Sequence, residues 1–174
     1  MLGTTSHTNT HNQVRLIRAF NVLRQYEENA AAGAHAMMGS YLVEGGLLVE
    51  GTSDTFGRIW VMNLLRQTGD EGNRGLKLEG LVFSTNFKGS EPFEPGVFQS
   101  VLPKNFIHKM VPGEEVYEFF EDWKQCHQDA LACKLYGPRF VFADSAHRLA
   151  EKGKYKICTH KRWLRLGFLV WYMS

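Results

Sequence analysis

The clearest periodic pattern in the chain is a helical one between about residues 114 and 136. Apolar side chains recur there at intervals of three and four residues, which places them along one side of a helix. Pro112-Gly113 precedes the segment and Gly137-Pro138 follows it, and such pairs are typical of helix boundaries. The pattern predicts a long amphipathic helix that packs on a sheet. Its apolar side consists of Val116, Phe119, Phe120, Trp123, Ala130 and Leu131, and its polar side includes Glu114, Glu118, Glu121 and Asp122.

A second helical pattern lies near the N-terminus, from about residue 13 to residue 31. Leu16, Ala19, Phe20 and Leu23 fall on one stripe when they are projected with the helical period. Glu27 interrupts this stripe. It is therefore either a residue that reaches water where the helix bends or ends, or a buried carboxylate. The polar residues 1–12 predict a flexible tail.

The middle of the chain favours β-strands. Residues 41–50 contain two short apolar runs separated by Gly45-Gly46, which predicts a hairpin with a two-residue turn. Residues 58–65 and 76–85 are two further predicted strands, separated by the turn-rich residues 68–75.

The C-terminal segment is predicted to contain a strand at residues 139–143, a short helix and a final hairpin. With residues 159–162 as its turn, Lys156 lies opposite Arg165. Beyond Gly167 both faces of the last strand are apolar, which predicts that this strand lies inside the sheet. The polar face of the predicted hairpin carries Lys154, Lys156, Cys158, Trp163 and Arg165.

Together these elements predict a single α+β domain over residues 13–174. Its sheet is largely antiparallel, and the N-terminal helix and the amphipathic helix at about 114–136 pack on it. A chain of 174 residues with 44% hydrophobic residues can bury an ordinary core. Its apolar runs are far shorter than the ~20 residues that a membrane span needs.

Charge changes this picture because it is distributed unevenly along the chain. Residues 1–133 contain 11 Lys and Arg against 16 Asp and Glu, whereas residues 134–174 contain 9 against 2. A basic segment attracts phosphate, acidic protein or anionic lipid. The leading hypothesis is a small intracellular binding or accessory protein that contacts a polyanion, with nucleic acid as the first candidate. The predicted contact residues are Arg139, Lys154, Lys156, Lys161, Arg162, Trp163 and Arg165.

Other interpretations of the same charges stay open. The basic face could be solvated, neutralised by the acidic side of the long helix, or placed on a membrane surface. A protein–protein adaptor is a further class. Its partner would contact the acidic face formed by Glu114, Glu118, Glu121 and Asp122.

The main rival hypothesis is an enzyme or small-ligand-binding protein with a pocket between sheet and helix. His127 lies within the apolar stripe of the long helix, so its ring needs a hydrogen-bond partner or serves as a general base or metal ligand. Glu27, if buried, could transfer a proton. Cys158 and His160 share one face of the predicted strand and could ligate a metal together with another cysteine. Since no phosphate-loop, dinucleotide or zinc-finger signature is present, the sequence predicts neither a cofactor nor a catalytic set.

Cysteine content and the first residues bear on location. The three cysteines, Cys126, Cys133 and Cys158, are odd in number, and the polar start of the chain does not resemble a secretory leader. Unpaired cysteines favour a reducing compartment. We therefore expect a cytoplasmic protein without a transmembrane segment.

Overall fold

Six strands form one sheet in the computed structural model, which describes residues 13–69, 75–87, 93–133 and 137–173. The tail predicted for residues 1–12 lies outside these ranges. The strands are β1 (Val14–Phe20), β2 (Leu42–Ser53), β3 (Ile59–Thr68), β4 (Gly75–Thr85), β5 (Lys156–Ile157) and β6 (Phe168–Tyr172). Their order in the sheet is β1-β2-β3-β4-β6-β5. Strands β1 and β2 are parallel, and all the other neighbours are antiparallel.

Helices lie in the connections from β1 to β2, from β4 to β5 and from β5 to β6. Within the described ranges they are α1 (Glu28–Ser40), α2 (Lys104–Ile107), α3 (Glu115–Ala132), α4 (Pro138–Glu151) and α5 (Lys161–Arg165). Short 3₁₀ helices cover Leu23–Gln25 and Pro95–Val101. The prediction of a single α+β domain with a mostly antiparallel sheet, an N-terminal helix and packed helices is thus confirmed. None of the helices in the described ranges combines the length and hydropathy that crossing a bilayer requires.

Helix α3 has the position that the sequence predicts, and the predicted stripe is buried except at Leu131, which is 43% exposed near the end of the helix. Phe119, Phe120 and Trp123 are fully buried. The Phe119 ring stacks on Trp171 of β6 with a centroid distance of 4.2 Å, and it packs on Phe83 of β4 at 5.3 Å. Burial of each such ring contributes roughly 2–3 kcal/mol to folding. This helix therefore anchors the helical layer to the centre of the sheet.

The predicted helix over residues 13–31 is wrong, because residues 14–20 form strand β1 and the helix begins only at Glu28. Leu16, Ala19 and Phe20 fit a helical stripe, but the segment also alternates between partly covered and exposed positions. Pairing with β2 resolves this ambiguity in favour of the strand.

The predicted hairpin at residues 41–50 is also wrong. Residues 42–50 belong to the single strand β2, which continues to Ser53, and Tyr41 is the C-cap residue of α1. The register of β1 against β2 jumps from Val14↔Leu42 to Leu16↔Leu47, so the extra residues of β2 form an irregularity rather than a turn. Gly45, with φ of 71°, supplies the left-handed backbone there.

Residues 139–143 form the beginning of helix α4 and not the predicted strand. Helix α3 already ends at Ala132, so Gly137 and Pro138 mark the start of α4, since proline is favoured in the first helical turn. Val141 and Phe142 are buried in the helical layer. The prediction took these apolar residues as a sign of a strand, but they form the buried side of a helix.

The predicted C-terminal hairpin has the wrong register. Lys156 pairs with Tyr172, and not with Arg165, which lies in helix α5 between the two strands. Gly167, with φ of 85°, allows the chain to leave α5 and enter β6. The prediction that the last strand lies inside the sheet is confirmed, because β6 runs between β4 and β5.

The helices cover one face of the sheet, which we call the inner face. Its side chains form two apolar clusters. The larger cluster joins α3 and α4 to β3, β4 and β6, and the smaller joins α1 to β2 and β3. From the sheet, the larger cluster contains Val61, Leu81, Phe83, Leu169 and Trp171, and the smaller contains Leu42, Leu48 and Leu65.

Candidate functional site

We call the opposite face of the sheet the outer face. Within the described residues, the core contacts of α1, α3 and α4 are on the inner face, and α5 touches the outer face through Trp163. Because side chains alternate along a strand, the outward residues of β3 are Trp60, Met62 and Leu64. All three are half-buried, whereas the inward residues between them are buried. A partly exposed apolar surface of this kind often marks a binding site.

Four aromatic rings form a row across the outer face, which we call the aromatic row. Phe20 of β1 meets Trp60 of β3 edge-on with a centroid distance of 5.9 Å. Trp60 lies 5.6 Å from Phe168 of β6, and Phe168 lies 5.9 Å from Trp163 of α5. Trp163 is 43% exposed, and the other three rings are half-buried. The row therefore presents aromatic surface to solvent across most of the sheet.

Small residues between the rings make this row possible. Ser84 of β4 lies between Trp60 and Phe168 in the register of the sheet. Gly51 of β2 is the register partner of Phe20, and a side chain at Gly51 would collide with Met62. The large rings can thus lean across the intervening strands and touch each other.

A groove of about 630 Å³ opens beside Phe20 and Trp60. The Arg18 guanidinium lies 4.1 Å from the centroid of the Phe20 ring. Asn21, held at φ of 59°, accepts a hydrogen bond from the Ser53 backbone and donates one to its hydroxyl, both at 2.9 Å. A groove of this size, with aromatic walls and a few polar groups, can hold a flat organic ring.

Helix α5 places a group of cations at the Trp163 end of the row. The Arg162 guanidinium lies 5.7 Å from the Trp163 ring centroid. Arg139 of α4 donates a hydrogen bond to the Arg165 carbonyl at 2.9 Å, which fixes α4 against α5. In the described ranges, no carboxylate lies within 4 Å of Arg139, Lys161, Arg162 or Arg165. Within those ranges, these charges are not neutralised by a carboxylate and can attract an external anion.

The predicted basic face does not form as one surface. Lys154 turns to α3, where it contacts Asp122 at 3.2 Å and Glu118 at 3.9 Å. Its neighbours Tyr155 and Asp122 raise the pKa of Lys154 to about 12. Lys156 of β5 lies beside the ring of its partner Tyr172 on β6. Tyr172 is four residues, or roughly 13 Å along the strand, from Phe168 of the aromatic row. The predicted contact residues are therefore divided among three places.

The acidic face of α3 is largely matched by lysines of the same chain. Asp122 accepts hydrogen bonds from Lys152 at 3.0 Å, from Lys154 at 3.2 Å and from the Tyr155 hydroxyl at 2.7 Å. Partial burial alone would raise the pKa of Asp122, but these bonds outweigh it and lower the pKa. Glu121 pairs with Lys124 at 2.8 Å. Glu114 precedes the helix as its N-cap residue.

His127 lies in the core, 3% exposed, with its ring edge-on to Phe93 at 5.2 Å. Burial lowers the pKa of His127, and the nearby Phe93 backbone only partly offsets this effect. Neither ring nitrogen makes a hydrogen bond of normal geometry within the described residues.

Glu27 is the exposed N-cap residue of α1. It is therefore not the buried carboxylate that a role in proton transfer would require.

Cys158 and His160 do not share a strand face, because His160 is the N-cap residue of α5. Among the described residues, no three His, Cys, Asp or Glu side chains converge as metal ligands. The three cysteines are free thiols. Cys133 accepts a hydrogen bond from Arg148 at 3.2 Å.

Three members of the aromatic row were not recognised as site residues from the sequence. Phe20 falls in the predicted N-terminal helix, Trp60 falls in a predicted strand without an assigned role, and Phe168 falls in the final predicted strand, which is expected to lie inside the sheet. The sequence does contain large aromatic residues on several strands, and glycine or serine at the positions that lie between them in the sheet. Recognising that signal requires the strand order, which the sequence does not reveal.

Comparison of the chain with protein-family models, with curated proteins and with solved structures finds no match.

Proposed function

We propose that the protein binds single-stranded nucleic acid on the outer face of its sheet. The observation that carries this proposal is the aromatic row, which ends at cations without carboxylate partners in the described residues. The polyanion hypothesis is thereby moved from a C-terminal hairpin to a surface shared by the sheet and helix α5.

The two kinds of side chain serve different parts of a polynucleotide. Aromatic rings stack on bases, an interaction that tolerates any base sequence. Arginine and lysine neutralise the phosphates, and Arg18 and Arg162 lie directly over rings of the row. The combination of stacking surface and nearby positive charge supports a nucleic-acid ligand over a simple anion.

The position of the rings favours a single strand over a duplex. In a duplex the faces of the bases are hidden by their neighbours, so half-buried rings lying on a sheet cannot reach them. A single strand can spread its bases over such a surface. Sheets that carry exposed aromatic rings are an established way to bind unpaired bases.

Fluorescence anisotropy with a labelled RNA of about twelve nucleotides tests the proposal. We expect binding at about 50 mM salt that weakens steeply toward about 200 mM, because counterions are released on binding. A blunt duplex of the same length should bind more weakly. Absence of binding at low salt, or equal binding of both forms, would overturn the proposal.

A further inference from the structure

A polar row crosses the inner face of the sheet between its two apolar clusters. Glu50 of β2 lies directly opposite Asn63 of β3, and the two side chains are 2% and 0% exposed. Apolar residues flank Asn63 along β3, with Val61 in the larger cluster and Leu65 in the smaller. This carboxylate and amide are therefore buried on the helix-covered side, away from the aromatic row.

Three elements converge on the Glu50 carboxylate. Asn63 Nδ2 donates hydrogen bonds to Glu50 Oε2 at 2.8 Å and to Asn105 Oδ1 of α2 at 2.9 Å. His35 of α1 places its Nε2 atom 3.6 Å from Glu50 Oε2. The strand pair, α1 and α2 thus surround one buried negative charge.

This cluster has unused hydrogen-bonding capacity. Asn63 Oδ1 and His35 Nε2 are buried and have no hydrogen-bond partner within the described residues. No Lys or Arg of those residues lies within 4 Å of the Glu50 carboxylate. The ionisable group near the carboxylate is His35, whose Nε2 atom at 3.6 Å is beyond hydrogen-bond distance. A buried carboxylate without a lysine or arginine beside it and a buried amide oxygen without a donor are both unfavourable. Both would be satisfied by a ligand that brings positive charge and several N–H groups.

The cluster is connected to the surface at two points. Asn105 is exposed, and the His35 side chain is 18% exposed. These two side chains, one from α1 and one from α2, are therefore the parts of the cluster that a small ligand would meet first.

We propose that the Glu50 cluster binds the ammonium or guanidinium end of a small cationic molecule. The carboxylate of Glu50 and the Oδ1 atom of Asn63 accept N–H groups from the cation, and Asn105 and His35 line its entrance. The site is independent of the nucleic-acid surface, because it lies on the other face of the sheet.

Isothermal titration calorimetry with agmatine, a small molecule that carries both groups, tests the proposal. We expect saturable binding to the wild type and about tenfold or greater loss in Glu50→Gln, which removes the charge and keeps the shape. Glu44→Gln, at an exposed position on the same strand, is the matched control and should bind as the wild type does. Equal binding by the Glu50→Gln and Glu44→Gln variants would overturn the proposal.

The wild type alone provides a second test that does not depend on a variant folding. The neutral compound n-butylurea offers N–H groups without a charge, and we expect it to bind at least tenfold more weakly than agmatine. Titration with the tripeptide Gly-Arg-Gly shows whether the site also accepts a guanidinium group that is carried by a peptide side chain. If agmatine and the tripeptide both fail to bind, or if n-butylurea binds equally well, the inference is wrong, whatever the RNA titration shows.

Discussion

The two faces of the sheet carry similar apolar residues but have opposite surroundings. On β6, Leu169 and Trp171 point inward and are at most 2% exposed, whereas Phe168 and Val170 point outward and are half-buried. The inward pair is covered by α3 and α4, while Phe168 of the outward pair is part of the aromatic row. The same type of residue therefore stabilises the fold on one face and belongs to the proposed binding surface on the other.

Charge distinguishes the two sides in the same way. On the helical side, Lys152 and Lys154 are matched by Asp122. At the end of the outer face, Arg162 and Arg165 have no such carboxylate within the described ranges. Basic side chains within one C-terminal segment thus separate into a structural set and a set available to a ligand.

Removal of a ring from the inner face should have the largest effect. Phe119→Ala leaves a cavity against Trp171 and Phe83, so we expect it to lower the free energy of unfolding by about 3–5 kcal/mol. Urea unfolding measures this change. Leu131→Ala, on the same helix but at a position 43% exposed, should cost less than about 1 kcal/mol. Similar losses in the two variants would contradict the assignment of the inner face as the core.

Removal of a ring from the outer face should instead affect binding. Trp60→Ala deletes the centre of the aromatic row, and we expect it to weaken binding of single-stranded RNA by about 1–3 kcal/mol. Anisotropy titration measures the loss, and circular dichroism checks that the variant is folded. Tyr117→Ala on α3 is the control and should bind normally. Unchanged affinity in Trp60→Ala would break the distinction between the faces.

The sequence allowed α3, β3, β4 and the interior position of β6 to be predicted, because local periodicity and helix-boundary residues agree there. The prediction failed at residues 14–20 and 139–143, where short apolar segments fit both a helix and a strand. It failed again at Gly45, where a glycine that suits a turn serves an irregular strand. In each case pairing or packing with distant residues decides the outcome.

Site residues were predictable only where charge alone identified them. Arg162, Trp163 and Arg165 are on the predicted list and lie at the end of the aromatic row. Phe20 and Trp60 are 40 residues apart in the sequence, and only the order of β1, β2 and β3 brings them together.

Loss of the free cations should have a moderate effect that depends on salt. Arg162→Gln combined with Arg165→Gln should weaken RNA binding roughly tenfold at low salt and reduce the slope of log affinity against log salt by about 1.4. Titration over a salt series measures both quantities. Lys109→Gln combined with Lys124→Gln removes the same charge elsewhere. If this control variant lowers the affinity and the salt slope as much as the arginine variant does, net charge rather than the α5 surface would explain binding.

Loss of the matched charges should have the smallest effect, and it should appear in stability. Asp122→Asn should lower the free energy of unfolding by about 1 kcal/mol at neutral pH without changing RNA binding. Because the pKa of Asp122 is lowered in the folded protein, its contribution is fully present above the ordinary carboxyl pKa and disappears as pH falls through the lowered value. Urea unfolding of both proteins over a pH series should therefore show the difference shrinking at acidic pH. A difference that is constant with pH would contradict this role.

Methyl NMR of the protein titrated with single-stranded RNA tests most directly which face binds. Met62 and Val170 report on the outer face, whereas Val61 of β3 and Leu149 of α4 report on the core. We predict that the Met62 and Val170 methyl signals shift in proportion to bound RNA and that those of Val61 and Leu149 stay nearly unchanged. Shifts confined to the core methyls, or bound RNA without any shift at Met62 and Val170, would contradict the account.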